Sequence, residues 1–193
     1  MKVLLLCLKA FETMEFSVFV DVMGWARDEA KCDIKVVTCG FQKTVTSTFR
    51  IPIMMDVTID EVCADDYDAL AIPGGFQEYG FREETFHEKT CELIGKFNEQ
   101  NKLIATVCVA AFALAESGIL KGKKATTYHM RDGERQKELA QYDGVTVIDE
   151  PVVTDGNIIT SYCPETAVKV AFKLLEMLTD KKVTQYIKVM MGY

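Results

Sequence analysis

Cys108 lies where an apolar run meets a segment rich in helix-forming residues, in the stretch ATVCVAAFALAESG (105–118). A cysteine between a buried strand and a helix meets unpaired N–H groups and the positive end of the helix dipole, which stabilise a thiolate and lower its pKa. The small Ala110 and Ala111 behind it allow a sharp turn, which would expose the sulfur as a nucleophile elbow exposes a serine. The same pattern also fits a small buried thiol with no chemical role. Both interpretations stay open on these residues alone.

Other chemically capable residues also follow predicted strands. Glu12 and Glu15 come after the first strand, the pair Gly74–Gly75 follows Ala69–Ile72, and His129 follows a strand that ends near Tyr128. The carboxyl ends of parallel strands meet at one edge of a sheet, and ligands bind there. We therefore expect a carboxylate, two glycines, an imidazole and the thiol to converge.

Backbone amides near the thiol predict an oxyanion hole. The N–H groups of Gly75 and Val109 would donate to a developing negative oxygen. Gly74, which has no side chain, would let the backbone approach the site closely. We expect all three residues to contribute to the site.

Two residues are candidates for proton transfer. If Glu15 is buried beside Cys108, its pKa is raised and its carboxyl can donate a hydrogen bond to a thiolate. Its alternative role is a solvated helix cap, and Glu12 competes for the same position. His129 is a candidate general base, with an ordinary surface histidine as the alternative.

The hydrophobic pattern predicts strands alternating with helices. Short apolar runs predict the strands Lys2–Leu8, Ile34–Thr38, Ala69–Ile72, Leu103–Val107 and Asn157–Ser161. Helical periodicity predicts the helices Met14–Ala30, Thr85–Asn98, Val109–Glu116 and Thr166–Leu178. This alternation is typical of an α/β fold with a mostly parallel sheet covered on both faces.

Three segments depart from that alternation. Residues 39–49 predict a small edge hairpin, and residues 145–161 predict two or three short strands with Asp155-Gly156 as a turn. The charged run 129–138 predicts a solvent-facing helix. Without repeats, linkers or low-complexity tracts, we expect one domain over residues 1–193.

Composition excludes several classes of function. The 193 residues carry a net charge of -7, which disfavours nucleic acid and anionic membrane surfaces as partners. Seven cysteines without CxxC spacing indicate reduced thiols in a cytoplasmic protein, and two isolated histidines predict no metal site. No apolar stretch predicts a membrane span or a signal peptide, so we expect a soluble protein. The first loop lacks glycine and no GxGxxG occurs, so we expect no cofactor.

Four segments, considered together, resemble the ThiJ/PfpI family. They are KVLLLCLKAFETMEFSVFVDVM (2–23), DYDALAIPGG (66–75), LIATVCVAAFALAESGILKGKKATTYH (103–129) and GNIITSYCPETAVKVAFKLLEML (156–178). The resemblance covers nearly the whole chain and is closest to the deglycase-like branch. It implies a flavodoxin-like, three-layer α/β/α sandwich with a nucleophile elbow, commonly as a homodimer. It also implies that Cys108 is the reactive cysteine, Glu15 its protonated partner, and Gly75 with Val109 the backbone donors.

The sequence also departs from patterns in the family. Val109 stands where family proteases have a histidine after the nucleophile, which argues against peptidase activity. Tyr128 displaces His129 by one position, and a one-residue slip on a strand reverses the side-chain direction. Cys163–Glu165 replaces the His-Pro-Glu of the related glutamine amidotransferases, which argues against glutaminase activity. Tyr162 replaces an arginine that could contact an anion.

The resemblance and the residues together predict an enzyme for small reactive carbonyls. Cys108 would attack an α-oxoaldehyde such as methylglyoxal without glutathione, and Glu15 or His129 would move the proton. One alternative is a redox-sensing protein in which Cys108 is an oxidation-sensitive thiol. A further alternative is a chaperone-like binding module that uses the acidic surface and the tail TQYIKVMMGY (184–193).

Overall fold

The computed structural model describes residues 1–193, in which strands and helices alternate along most of the chain. The strands are β1 (Lys2–Leu6), β2 (Lys35–Gly40), β3 (Thr44–Thr46), β4 (Pro52–Met54), β5 (Val57–Thr58), β6 (Ala69–Ile72), β7 (Leu103–Thr106), β8 (Lys124–Ala125), β9 (Thr146–Val147), β10 (Val152–Asp155) and β11 (Ile158–Ser161). The helices are α1 (Thr13–Glu29), α2 (Phe81–Thr85), α3 (Glu88–Glu99), α4 (Ala111–Glu116), α5 (Met130–Leu139), α6 (Ala167–Leu178) and α7 (Lys181–Met190). None of these helices combines the length and the apolar character that crossing a lipid bilayer requires.

Seven strands form the central sheet, in the order β10-β11-β7-β6-β1-β2-β5. All neighbouring pairs are parallel except β10 with β11, which form an antiparallel hairpin. The chain passes from β1 outward through β2 to β5, and then from β6 through β7 to β11 on the other side. Strand order therefore reverses between β1 and β6, which is where open α/β sheets bind ligands. The predicted mostly parallel sheet is confirmed.

Helices cover both faces of this sheet. Helices α1, α6 and α7 contact one another on one side, while α3 packs with α4 and against β6 and β7 on the other. Leu4, Leu70 and Ile104, on the three central strands, are consequently fully buried. Burial on both faces explains why the sequences of these strands are continuously apolar and do not alternate between apolar and polar residues.

Two predicted elements differ from the observed ones. The edge hairpin pairs β3 with β4, so it extends past residue 49, and Gly40 belongs to the central strand β2. The predicted helix Thr85–Asn98 is two helices, because Phe86 and His87 interrupt it and the His87 side chain accepts a hydrogen bond from the N–H of Lys89. The predicted turn at Asp155-Gly156 is confirmed between β10 and β11.

Candidate active site

Cys108 occupies a strained elbow directly after β7. Its φ of 57° lies in the left-handed region, and a 3₁₀ turn over Cys108–Ala110 leads into α4. A non-glycine residue in this conformation costs about 1–2 kcal/mol, so the surrounding contacts must hold it there. Thr127 Oγ1 donates a 2.9 Å hydrogen bond to the Cys108 carbonyl, and Ala111 packs behind it with no exposed surface. The predicted sharp turn is confirmed.

Glu15 is a fully buried carboxyl in the first turn of α1. Its Oε2 accepts a 2.6 Å hydrogen bond from the N–H of Gly74, and its Oε1 has no N–H or O–H partner. Glu12, not Glu15, is the helix cap, since the Glu12 side chain accepts from the N–H of Met14 at 3.5 Å. The interpretation of Glu15 as a solvated cap is therefore wrong.

Burial sets the ionisation of Glu15. Loss of solvent raises its pKa from an ordinary 4.5 to about 8, against the lowering effect of the Gly74 hydrogen bond. A charge on Glu12 adds to the increase, and a hydrogen bond with the Cys108 thiol reduces it. The Glu15 carboxyl is therefore mostly protonated at neutral pH.

The Cys108 thiol does not have the predicted low pKa. Burial raises its pKa well above the ordinary value, a charge on Glu15 raises it further, and the N–H of Val109 lowers it. The elbow prediction is wrong on this point because the cost of burying a thiolate exceeds the stabilisation from nearby amides. Because the pKa of Cys108 lies above that of Glu15, the carboxyl ionises first and the thiol remains its hydrogen-bond donor.

The three predicted backbone donors divide into two roles. Gly75 and Val109 line the cavity at Cys108, and neither N–H makes an intramolecular hydrogen bond to the backbone. Gly74 is not a donor to substrate, because Glu15 already accepts its N–H. A Cβ on Gly74 would lie 2.8 Å from both Glu15 Oε2 and the Val107 carbonyl oxygen. Gly74 therefore positions the carboxyl against the elbow.

His129 lies outside this cavity. Its ring stacks on Tyr162 with centroids 4.0 Å apart, and its buried Nδ1 has no hydrogen-bond partner. Tyr128 lines the cavity in its place. The strand expected to end near Tyr128 ends at Ala125, and the His129 backbone is in the right-handed helical region. The imidazole therefore does not join the other site residues in the cavity, and this placement does not support a role as general base. Tyr162 is itself held by a 2.6 Å hydrogen bond from its hydroxyl to Asp149.

The cavity at Cys108 has a volume of about 180 Å³, which suits a small molecule. Its lining is Glu12, Glu15, Gly75, Phe76, Gln77, Glu78, Cys108, Val109, Tyr128, Arg131, Arg135 and Pro164. No group of three histidine, cysteine or acidic side chains is arranged to hold a metal ion.

Arg131 and Arg135 are functional candidates that the sequence prediction missed. The run 129–138 is predicted as a solvent-facing helix, but Arg131, Asp132 and Gly133 all have left-handed φ values between 56° and 69°. This turn places both arginines at the cavity, with Arg131 Nη1 3.9 Å from Glu78 Oε1 across its mouth. The Asp132-Gly133 dipeptide is the turn signal that could have indicated it.

Comparison with known proteins assigns the chain to a family. The family model described as DJ-1/PfpI family matches residues 1–177. Deglycase PfpI of Pyrococcus furiosus is 35% identical over 131 residues, which cover 67% of this chain and 74% of that protein. Protein dj-1beta of Drosophila melanogaster is 30% identical over 176 residues, covering 90% of this chain and 87% of the other. An uncharacterized Methanocaldococcus jannaschii protein is 35% identical over 127 residues, which span 65% of this chain and 59% of that protein.

A solved structure supports the same assignment. The crystal structure of Drosophila melanogaster DJ-1beta matches with a TM-score of 0.85 and 28% identity, over 98% of this chain and 96% of that one. The flavodoxin-like fold and the family resemblance predicted from the sequence are both confirmed. The chain belongs to the DJ-1/PfpI family.

Proposed function

We propose that this protein is a cysteine-dependent enzyme that converts small α-oxoaldehydes, such as methylglyoxal, to hydroxy acids without glutathione. The observation that carries the proposal is the placement of a buried, protonatable Glu15 against the strained Cys108 elbow in a small cavity. A pKa of about 8 for Glu15 suits a group that accepts and returns protons near neutral pH. The deglycase name of the Pyrococcus furiosus relative is consistent with carbonyl chemistry.

The first step adds the thiol to the aldehyde. The ionised fraction of Glu15 takes the thiol proton as the sulfur of Cys108 forms a bond to the aldehyde carbon, and the carbonyl π electrons move to oxygen. The N–H groups of Gly75 and Val109 stabilise that oxygen, which then receives the proton from Glu15. The product of this step is a hemithioacetal.

The second step isomerises the adduct without an external oxidant. The Glu15 carboxylate removes the proton from the former aldehyde carbon and passes it to the oxygen of the adjacent carbonyl, which gives an enediol. The hydroxyl on the sulfur-bearing carbon then gives up its proton, and Glu15 delivers a proton to the adjacent carbon, which gives a thioester of the 2-hydroxy acid. Water then breaks the carbon–sulfur bond, which releases the acid and regenerates the thiol.

The direct test compares two cysteine variants in lactate formation from methylglyoxal. Cys108→Ser is expected to lower kcat by at least about 100-fold, since serine is a far weaker nucleophile at neutral pH. Cys91→Ser is the matched control, because Cys91 is a partly buried thiol on α3 outside the cavity. Full lactate production by Cys108→Ser would overturn the proposal.

The working unit is proposed as a cytoplasmic homodimer of a single domain spanning residues 1–193. Support comes from exposed apolar side chains beside the β3–β4 hairpin, where Phe49 is 62%, Ile51 52% and Met54 81% exposed. Phe49 also contacts the cavity residue Phe76, with ring centroids 6.0 Å apart. Light scattering should give a dimer mass for the wild type and a monomer mass for Met54→Lys. An unchanged dimer in that variant would place the interface elsewhere.

A further inference from the structure

A second thiol follows the strand next to the elbow. Cys163 comes after β11 as Cys108 comes after β7, and these strands are parallel neighbours with Ile159 opposite Ala105. The paired register ends at Ala105 and Ile159, and Cys108 and Cys163 each lie two residues beyond the end of their strand. Neighbouring strands lie about 4.8 Å apart, and a disulfide joins Cα atoms about 4.4–6.8 Å apart. The two cysteines therefore follow neighbouring parallel strands at the same edge of the sheet.

The residue after Cys163 supports the same placement. Pro164 lines the cavity that contains Cys108, so the residue directly after Cys163 reaches the site. A charge on Cys163 raises the pKa of Cys108, and a charge on Glu15 raises the pKa of Cys163. The three groups are thus within electrostatic range of one another. Cys163 is partly exposed and free in the structure.

The Cys163 thiol is also held in a defined position. Burial raises its pKa, while the N–H groups of Glu165 and Thr166 lower it by hydrogen bonding to the sulfur. Thr166 Oγ1 in turn accepts from the Cys163 N–H at 3.2 Å. Burial outweighs these bonds and the pKa of Cys163 is raised, so the thiol gives up its proton as it attacks, while the bonds hold its sulfur in place.

We propose that Cys163 is a resolving cysteine that converts a hydroperoxide-oxidised Cys108 into an intramolecular disulfide. The Cys108 thiol first attacks the hydroperoxide, so that a sulfur–oxygen bond forms, the oxygen–oxygen bond breaks and an alcohol or water leaves. Cys163 then attacks the sulfenic sulfur, so that the sulfur–sulfur bond forms, the sulfur–oxygen bond breaks and water leaves with the Cys163 proton. The first step moves two electrons from the Cys108 sulfur to the peroxide, the second step needs no further oxidant, and a dithiol reductant restores both thiols.

This role goes beyond the carbonyl chemistry proposed above. The disulfide removes the nucleophile from the cavity, so carbonyl turnover stops while hydroperoxide persists. The disulfide also prevents further oxidation of Cys108 to a sulfinic acid, which ordinary thiols do not reduce. Oxidation therefore becomes a reversible state of the site.

The test is intact-mass analysis of the reduced full chain after treatment with about two molar equivalents of hydrogen peroxide, since a sulfinic acid carries two added oxygen atoms. The wild type is expected to lose about 2 Da and to yield a cross-linked peptide pair containing Cys108 and Cys163, reversible by dithiothreitol. Cys163→Ser is expected to gain about 32 Da at Cys108 instead, through a sulfenic acid that dimedone traps. Cys91→Ser serves as the control and should behave like the wild type.

Several outcomes overturn this role. A gain of about 32 Da in the wild type without a cross-link, a disulfide from Cys108 to any other cysteine, or a Cys108 that peroxide leaves unchanged would each do so. Lactate formation is measured on the fully reduced proteins in the same experiment. Reduced Cys163→Ser that still makes lactate but forms no cross-link separates the two proposals, since only the peroxide response depends on Cys163. Mapping the wild-type peptides decides the question even if a variant folds poorly.

Discussion

Glu15 and Gly74 are joined by a 2.6 Å hydrogen bond that crosses the point where strand order reverses between β1 and β6. The bond uses the Gly74 N–H and one carboxyl oxygen, which leaves Glu15 Oε1 available to the Cys108 thiol. The acid on α1 and the sulfur after β7 are therefore held together by a backbone amide that follows the strand between them.

The pH profile of carbonyl turnover should report Glu15. Turnover is expected to increase through an apparent pKa of about 8 and then level off, because the reacting form of the pair has lost one proton. Glu15→Gln removes the ionising group and should lower kcat by about 100-fold or more, with no inflection remaining. Stopped-time lactate assays across pH measure both effects. An unchanged inflection in Glu15→Gln would assign the titration to another residue.

Folding stability should show the opposite dependence on pH. The pKa of Glu15 is raised in the folded protein to about 8 from 4.5, so the folded state binds more protons than the unfolded state between these values. The free energy of unfolding should therefore fall, by on the order of a few kcal/mol, as pH increases from about 4.5 to about 8. Urea denaturation at several pH values measures this. Glu15→Gln should flatten the fall, and an equally steep fall in that variant would contradict the raised pKa.

Gly74→Ala should damage both stability and turnover. The new Cβ would lie 2.8 Å from the Glu15 carboxyl oxygen and from the Val107 carbonyl oxygen, which belongs to rigid backbone. We expect a loss of about 1–3 kcal/mol in unfolding free energy and a large decrease in kcat. Gly95→Ala is the matched control, because a Cβ on Gly95 in α3 meets nothing within 4 Å and alanine favours helix. Equal stability of the two variants in thermal unfolding would contradict the close contact.

His129→Ala should leave the chemical step nearly intact. The imidazole stacks on Tyr162 and does not line the cavity, so kcat is expected to change by less than about 3-fold with the same pH profile. Some loss of thermal stability is expected from the missing stacking contact. A decrease of about 100-fold in kcat would instead place the imidazole in the reaction.

The sequence predicted the fold and part of the site. Strand direction alone brought Glu15, Gly75 and Cys108 to one edge, because parallel strands end on the same side of the sheet. It did not bring His129 to the cavity, because the strand expected to end near Tyr128 ends at Ala125. It also assigned a low pKa to Cys108, because composition does not show how completely the sulfur is buried. Arg131 and Arg135 were missed because a left-handed turn inside a charged run departs from helical periodicity.

The positive φ of Cys108 has a consequence for how such a protein changes under selection for heat resistance. Glycine adopts that backbone shape without penalty, so replacing the cysteine by glycine should make the chain more robust while it destroys the reactive sulfur. One substitution at position 108 would therefore increase stability and abolish the activity of the site. Screens that reward thermal survival alone should therefore enrich inert proteins.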